Sequence, residues 1–117
     1  MDLHEFQGYL LPILIVGFFA WRFLKFKKAK AMLPEYLKQG AVIVDVRSSV
    51  EFNQGARPGS INIPLNELNA RVKELDKEKT IILCCASGTR SGIGVGILKK
   101  NGFKRVVNIG SWTNTLS

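Results

Sequence analysis

The sequence predicts an α/β domain of three layers on a mostly parallel central sheet, preceded by one N-terminal transmembrane helix. Three observations predict it. Short apolar, β-branched runs at 41–46, 60–63, 81–84 and 106–109 recur between stretches of helical spacing, the pattern of strands joined by crossover helices. Residues 6–21 carry no charge. A run ending in Cys84-Cys85 passes through Ala86-Ser87-Gly88-Thr89-Arg90 into a helical pattern, which puts a cysteine at the carboxyl end of a strand, where such sheets hold their ligands.

In its 117 residues the chain divides into a tail (1–5), the transmembrane helix (6–24), a basic juxtamembrane linker (25–31) and the α/β domain (32–117). If Arg22 snorkels, the apolar run reaches Leu24 and its nineteen residues span roughly 28 Å, close to the thickness of a bilayer. Pro12 lies in the first half of that run, where a membrane helix tolerates it. A cleaved signal peptide would carry its positive charge ahead of the apolar run. Here Asp2 and Glu5 precede it, while Arg22, Lys25, Lys27, Lys28 and Lys30 follow. The positive-inside tendency then places the N-terminus outside and the domain in the cytoplasm, on a membrane of the bacterial inner or plasma type.

The net charge of +8 divides between the two parts: five Lys/Arg against two acids in residues 1–30, and twelve against seven thereafter. Neither share forms a basic stripe with interleaved aromatics, so nucleic acid is not an expected partner. The surplus fits an anionic substrate or an anionic membrane surface.

Beyond the linker, Met32 to Gln39 reads as a short helix entered through Pro34 and stopped by Gly40. Ala41 to Val46 is a strand buried on both faces, interrupted by Asp45 near its end. Ser48 or Ser49 caps a short helix, in which Arg47 and Glu51 are four apart and able to pair. Gly55 to Gly59 is turn chemistry, Ser60 to Ile63 a short strand, and Leu65 to Leu75 a helix with Leu65, Leu68, Val72 and Leu75 on one face. Ile81 to Cys84 is the third strand. Ser91 to Asn101 is a helix ended at Gly102, whose three glycines imply close packing on the sheet. Val106 to Ile109 is the fourth strand.

The turn after the third strand concentrates the chemistry. Backbone N–H groups of such a turn, with those of the following helix start, converge on a small space that favours an anion. A cysteine at its rim ionises readily, and the thiolate is the nucleophile. Cys85 is therefore the candidate catalytic residue, with Ala86, Ser87, Gly88, Thr89 and Arg90 as the substrate-binding loop. Cys84, pointing the opposite way by strand alternation, reads as a packed thiol. Adjacent cysteines do not suit a structural disulfide, and a reducing compartment fits them best. Arg90 either faces an anionic donor or ties the loop to a carboxylate or carbonyl, the second reading being preferred. Asp45 and Arg47 read as supporting residues. His4, the sole histidine, lies outside the domain.

Four motifs in order give a resemblance over nearly all of 31–112: Asp45-Val46-Arg47 with Glu51-Phe52, Gly-Ala-Arg-Pro-Gly-Ser-Ile-Asn-Ile-Pro at 55–64, Cys85-Ala86-Ser87-Gly88-Thr89-Arg90-Ser91, and Gly102-Phe103 with Gly110 to Trp112. The chain resembles the single-domain rhodaneses. The resemblance implies a sulfurtransferase in which Cys85 takes sulfane sulfur from a small anion such as thiosulfate, becomes a persulfide, and passes the sulfur to cyanide, a thiol or a protein acceptor. No metal or cofactor is implied. Ala56 stands where the family has histidine and Ser111 where it has glycine. The short segment after Trp112 implies a looser fold or an apolar surface for a partner or the membrane. Two alternatives stay open: a sulfur-relay or binding module, and a phosphatase, for which the spacing Cys84-x5-Arg90 would count. Gly88, three after Cys85, speaks against the last.

Overall fold

A computed structural model describes residues 2–116; Met1 and Ser117, the outer ends of the expected tail and domain, lie outside the described residues. The elements are α1 (Leu3–Lys38), β1 (Val42–Asp45), α2 (Ser49–Gln54), β2 (Ile61–Asn62), α3 (Leu65–Leu68), β3 (Ile81–Cys85), α4 (Thr89–Lys100) and β4 (Val106–Ser111). The four strands lie in the order β2-β1-β3-β4, and every pairing is parallel.

The first helix differs from expectation. Residues 25–31 are not a break: α1 runs unbroken for 36 residues, with Pro12 and Pro34 inside it, and residues 32–38 are its last turns. Asp2 caps it, its carboxylate accepting from the Glu5 N–H at 2.9 Å. From Leu3 to Leu24 its large apolar side chains are exposed, in a helix long and apolar enough to cross a membrane. Further on it carries one inward stripe: Arg22 and Phe26 half-buried, Ala29 and Leu33 buried, Tyr36 and Leu37 half-buried. That spacing is one helix face, and its burial against the sheet explains why the helix passes through Pro34.

The sheet has a distinct core on each side, and alternation along each strand decides which residue serves which. On one side α1 covers Ile43, Ile82, Cys84 and Ile109 with Ala29 and Leu33. On the other lie Val44, Val46, Ile81, Leu83 and Cys85 with Leu68, Leu98 and Phe103. These are the three layers. The expected helix 65–75 is α-helical only to Leu68, then tightens into a 3-10 helix over Asn69–Glu74, with Leu68 and Leu75 still buried. Of the three glycines in α4, Gly94 packs most closely, since a Cβ there would stand 3.0 Å from Leu83 Cδ1 and 3.3 Å from Leu68 Cδ2, while one at Gly92 would lie 3.4 Å from Asn108 Nδ2. Gly96 has nothing within 4 Å.

Where β3 pairs with β4 the register slips. Leu83 faces Asn108, but Cys84 faces Gly110, so Ile109 is the extra residue of a bulge. Gly110 takes φ +85°, the left-handed region that favours glycine. The bulge lies beside the strand end that carries Cys85, the place where irregular pairing re-aims side chains.

Candidate active site

Cys85 is the last residue of β3, and Ala86 to Gly88 turn the chain into α4. Gly88 makes the turn with φ +98°, which an L side chain rarely adopts. The Gly88 N–H donates to Cys85 Sγ at 2.9 Å. Ala86, Ser87 and Thr89 face solvent, while Cys85 itself lies beneath them, about 1% exposed.

Burial alone would raise the Cys85 thiol pKa. Hydrogen bonds from the Ser91 hydroxyl and from the backbone N–H groups of Ser91, Ser87 and Gly88 together outweigh it and hold the pKa below the ordinary thiol value. Ser91 Oγ lies 3.4 Å from Sγ and 2.7 Å from Asn108 Oδ1. Asn108 is fixed in orientation, because its Nδ2 donates to the Gly88 carbonyl at 2.9 Å and its Oδ1 accepts from the Gly110 N–H at 3.0 Å. While Cys85 is a thiol, the acceptor-only Oδ1 accepts the hydrogen bond that the Ser91 hydroxyl donates. When the thiolate forms, that hydroxyl has a second acceptor in Sγ.

Arg90 does not reach toward the sulfur with a free charge. Its Nη1 and Nη2 donate to the two Glu51 carboxylate oxygens at 2.7 and 3.0 Å, a bidentate pair that ties the start of α4 to α2. Arg90, then the Ser48 N–H, hold the Glu51 carboxyl down to about 2. The expected pairing of Arg47 with Glu51 is therefore corrected: the Glu51 carboxylate faces Arg90, and Arg47 turns to Asp45. Arg47 donates from Nε and Nη2 to Asp45 at 2.8 to 3.0 Å and from Nη2 to the Gly55 carbonyl at 2.7 Å. The pair is buried, and the Trp112 ring covers Arg47 with 4.7 Å from guanidinium to centroid. Asp45 and Arg47 thus brace the turns around the site, without a described contact to Cys85.

Several neighbours escaped the sequence reading. Asn108 interrupts an apolar strand near its end as Asp45 does, and that break was the available signal. Arg22 and Phe26 reach the loop from α1, and nothing in the linear sequence brings residue 22 to residue 87. Arg22 Nη2 donates to the Ser87 carbonyl at 3.1 Å and to Thr89 Oγ1 at 3.2 Å. Beside Arg90 a cleft of about 500 Å³ opens between Val46, Ser48, Pro64 and Leu65. Among the described residues no group of three or more His, Cys, Asp or Glu side chains is placed to hold a metal.

Known proteins resemble this chain in sequence and fold. The family model described as "Rhodanese-like domain" matches residues 27–115. A sulfurtransferase of Allochromatium vinosum is 30% identical over 71 residues, 61% of this chain and 66% of its own length. The thiosulfate sulfurtransferase PspE of Escherichia coli is 36% identical over 69 residues, 57% of this chain and 66% of its own. The chain spans somewhat less than two thirds of these curated relatives. Among solved structures, a rhodanese with anions from E. coli superposes with a TM-score of 0.61 at 32% identity, covering 64% of this chain and 91% of that one.

Proposed function

The chain belongs to the rhodanese-like domain family, and from that premise we propose that it is a membrane-anchored sulfurtransferase carrying sulfane sulfur as a persulfide on Cys85. The observation that carries the reading is the Gly88 N–H at 2.9 Å from a buried Sγ whose pKa is held below the ordinary thiol value. A buried thiolate without such donors would be costly; with them it is a competent nucleophile.

The Cys85 thiolate attacks the sulfane sulfur of thiosulfate or a similar donor. A bond forms between the two sulfurs, the donor's S–S bond breaks, and the donor's remainder, sulfite in the case of thiosulfate, leaves with the electron pair. The terminal sulfur of the persulfide bears the negative charge, which the converging N–H groups of the loop suit. Cyanide or an acceptor thiolate then attacks that terminal sulfur, and the Cys85 thiolate departs as the leaving group. A cycle of this kind needs no metal or cofactor. Ser87, Gly88 and Ser91 act by donating to sulfur; Ala86 and Thr89 shape the rim; Arg90, Asp45 and Arg47 hold the turns that carry it. The apolar half of α1 supports the anchor, with the N-terminus outside and the domain in the cytoplasm.

Incubation with thiosulfate followed by intact-mass analysis tests the reading. The wild type is expected to gain one sulfur and to release it as thiocyanate on adding cyanide, and Cys85→Ala is expected to do neither. Turnover by Cys85→Ala would refute the assignment. Sulfur uptake with poor transfer to cyanide would instead favour a relay to a protein acceptor, and activity on aryl phosphates without sulfur uptake would favour a phosphatase.

A further inference from the structure

The contact between α1 and the loop falls on one peptide group. The Ser87 carbonyl, which accepts from Arg22 at 3.1 Å, and the Gly88 N–H, which donates to Cys85 Sγ at 2.9 Å, are the two ends of the Ser87–Gly88 peptide. A trans peptide points its C=O and N–H in opposite directions, so a donor fixed on the oxygen fixes the aim of the N–H. A cationic donor also polarises the unit, strengthening what the N–H gives to sulfur. Arg22 makes no ion pair among the described residues, so its charge is not neutralised by a carboxylate there.

Two further contacts hold Arg22 in place. Its guanidinium lies 5.3 Å from the Phe26 ring centroid, and its Nη2 also donates to Thr89 Oγ1. Phe26 in turn packs on the glycine side of the loop: a Cβ at Gly88 would stand 2.5 Å from Phe26 Cζ, and one at Gly110 3.1 Å from the ring. The loop is thus held from behind by two consecutive inward positions of α1.

We infer that Arg22 is a positioning residue for the sulfur site: through the Ser87–Gly88 peptide it aims and polarises the N–H that stabilises the Cys85 thiolate and persulfide. The membrane helix is then part of the reactive centre's frame as well as its tether. This rests on the sulfur-transfer reading for its biological use, but its effect on Cys85 is measurable without sulfur transfer.

The test is the pH profile of Cys85 alkylation by iodoacetamide in the full chain in detergent micelles, beside sulfur uptake from thiosulfate. Arg22→Ala is expected to move the alkylation midpoint to higher pH and to slow both reactions at pH 7 by about tenfold, the size of one hydrogen bond in a charged network. Arg22→Lys, keeping charge but losing the fork, is expected to recover part of that loss. Lys30→Ala, which removes a charge two turns away, is expected to match the wild type. If Arg22→Ala unfolds the domain by circular dichroism, Arg22→Lys and Arg22→Gln carry the test. A midpoint unchanged in the folded variants overturns the inference, as does an equal shift in Lys30→Ala. A wild type that takes up no sulfur, but whose midpoint still follows Arg22, supports the positioning role and overturns only the sulfur chemistry.

Discussion

Cys84 and Cys85 are neighbours on β3, each about 1% exposed, and they differ in what surrounds the sulfur. Cys84 faces the α1 side, among Ile43, Ile82, Ile109 and Leu33, and burial there, with the nearby Asp45 carboxylate, pushes its pKa far up. Cys85 faces the α4 side, where burial acts in the same direction but Ser91, Ser87 and Gly88 donate to it, and its pKa ends below the ordinary value. Depth is shared between the two sites, and only one has donors. The opposite pKa directions of the two sulfurs are therefore set by the loop that follows the strand.

The largest expected effect comes from breaking that loop at its glycine. An alanine at position 88 would hold a left-handed φ and place its Cβ 2.5 Å from Phe26 Cζ and 3.1 Å from Gly110 Cα. Gly88→Ala is expected to lower the rate of sulfur uptake by about two orders of magnitude, the loss typical of one preorganised donor to a reacting anion. The measurement is single-turnover persulfide formation by mass, and a rate within threefold of wild type would mean that the turn does not set the reactivity of Cys85.

Removing one donor should make Cys85 more like its neighbour by a smaller step. Ser91→Ala takes away the side-chain donor to sulfur and leaves Asn108 Oδ1 with its Gly110 contact. Because this bond lowers the pKa, its loss raises it: alkylation at pH 7 is expected to slow about tenfold, and the two profiles to converge toward high pH as the variant's thiol also ionises. A variant slowed equally at every pH would point to steric damage rather than to lost thiolate.

The strands, the turn and the place of Cys85 at a strand end were legible because each is written in contiguous residues. Val42 to Asp45 and Ile81 to Cys85 declare themselves by apolar runs, and Cys85 by the glycine and arginine that follow. What was not legible depends on partners far along the chain. Glu51 looked paired with Arg47 because the two are four apart, but the Asp45 carboxylate sits closer to Arg47, and Arg90 brings a matching fork from 39 residues away. The stretch at 25–31 read as a juxtamembrane linker because it is basic. It is helical because Ala29 and Leu33 beneath the lysines dock on the sheet, and a buried stripe sets helix extent more strongly than surface charge. Arg22 read as a snorkelling residue, and its partners, the Ser87 carbonyl and the Thr89 hydroxyl, are brought near only by the fold.

The smallest effect sharpens the contrast through stability rather than activity. Cys84→Ala removes a buried sulfur and is expected to cost about 1 kcal/mol at pH 7, as small core truncations do, while leaving sulfur uptake within twofold of wild type. The two thiols also enter the pH dependence of folding with opposite sign. An unfolded cysteine ionises near pH 8.5, whereas folded Cys84, its pKa raised, keeps its proton. Its contribution is therefore complete below about pH 8.5 and is lost as pH rises beyond it. Folded Cys85, its pKa lowered, ionises first, so its contribution is present above about pH 8.5 and is lost as pH falls through the folded value. Denaturant unfolding of the full chain in micelles from pH 6 to pH 10 is expected to show Cys84→Ala with a shallower alkaline decline than wild type, and Cys85→Ala without the rise that precedes pH 8.5. Parallel curves for all three proteins would mean that the donors around Cys85 do not distinguish it from Cys84.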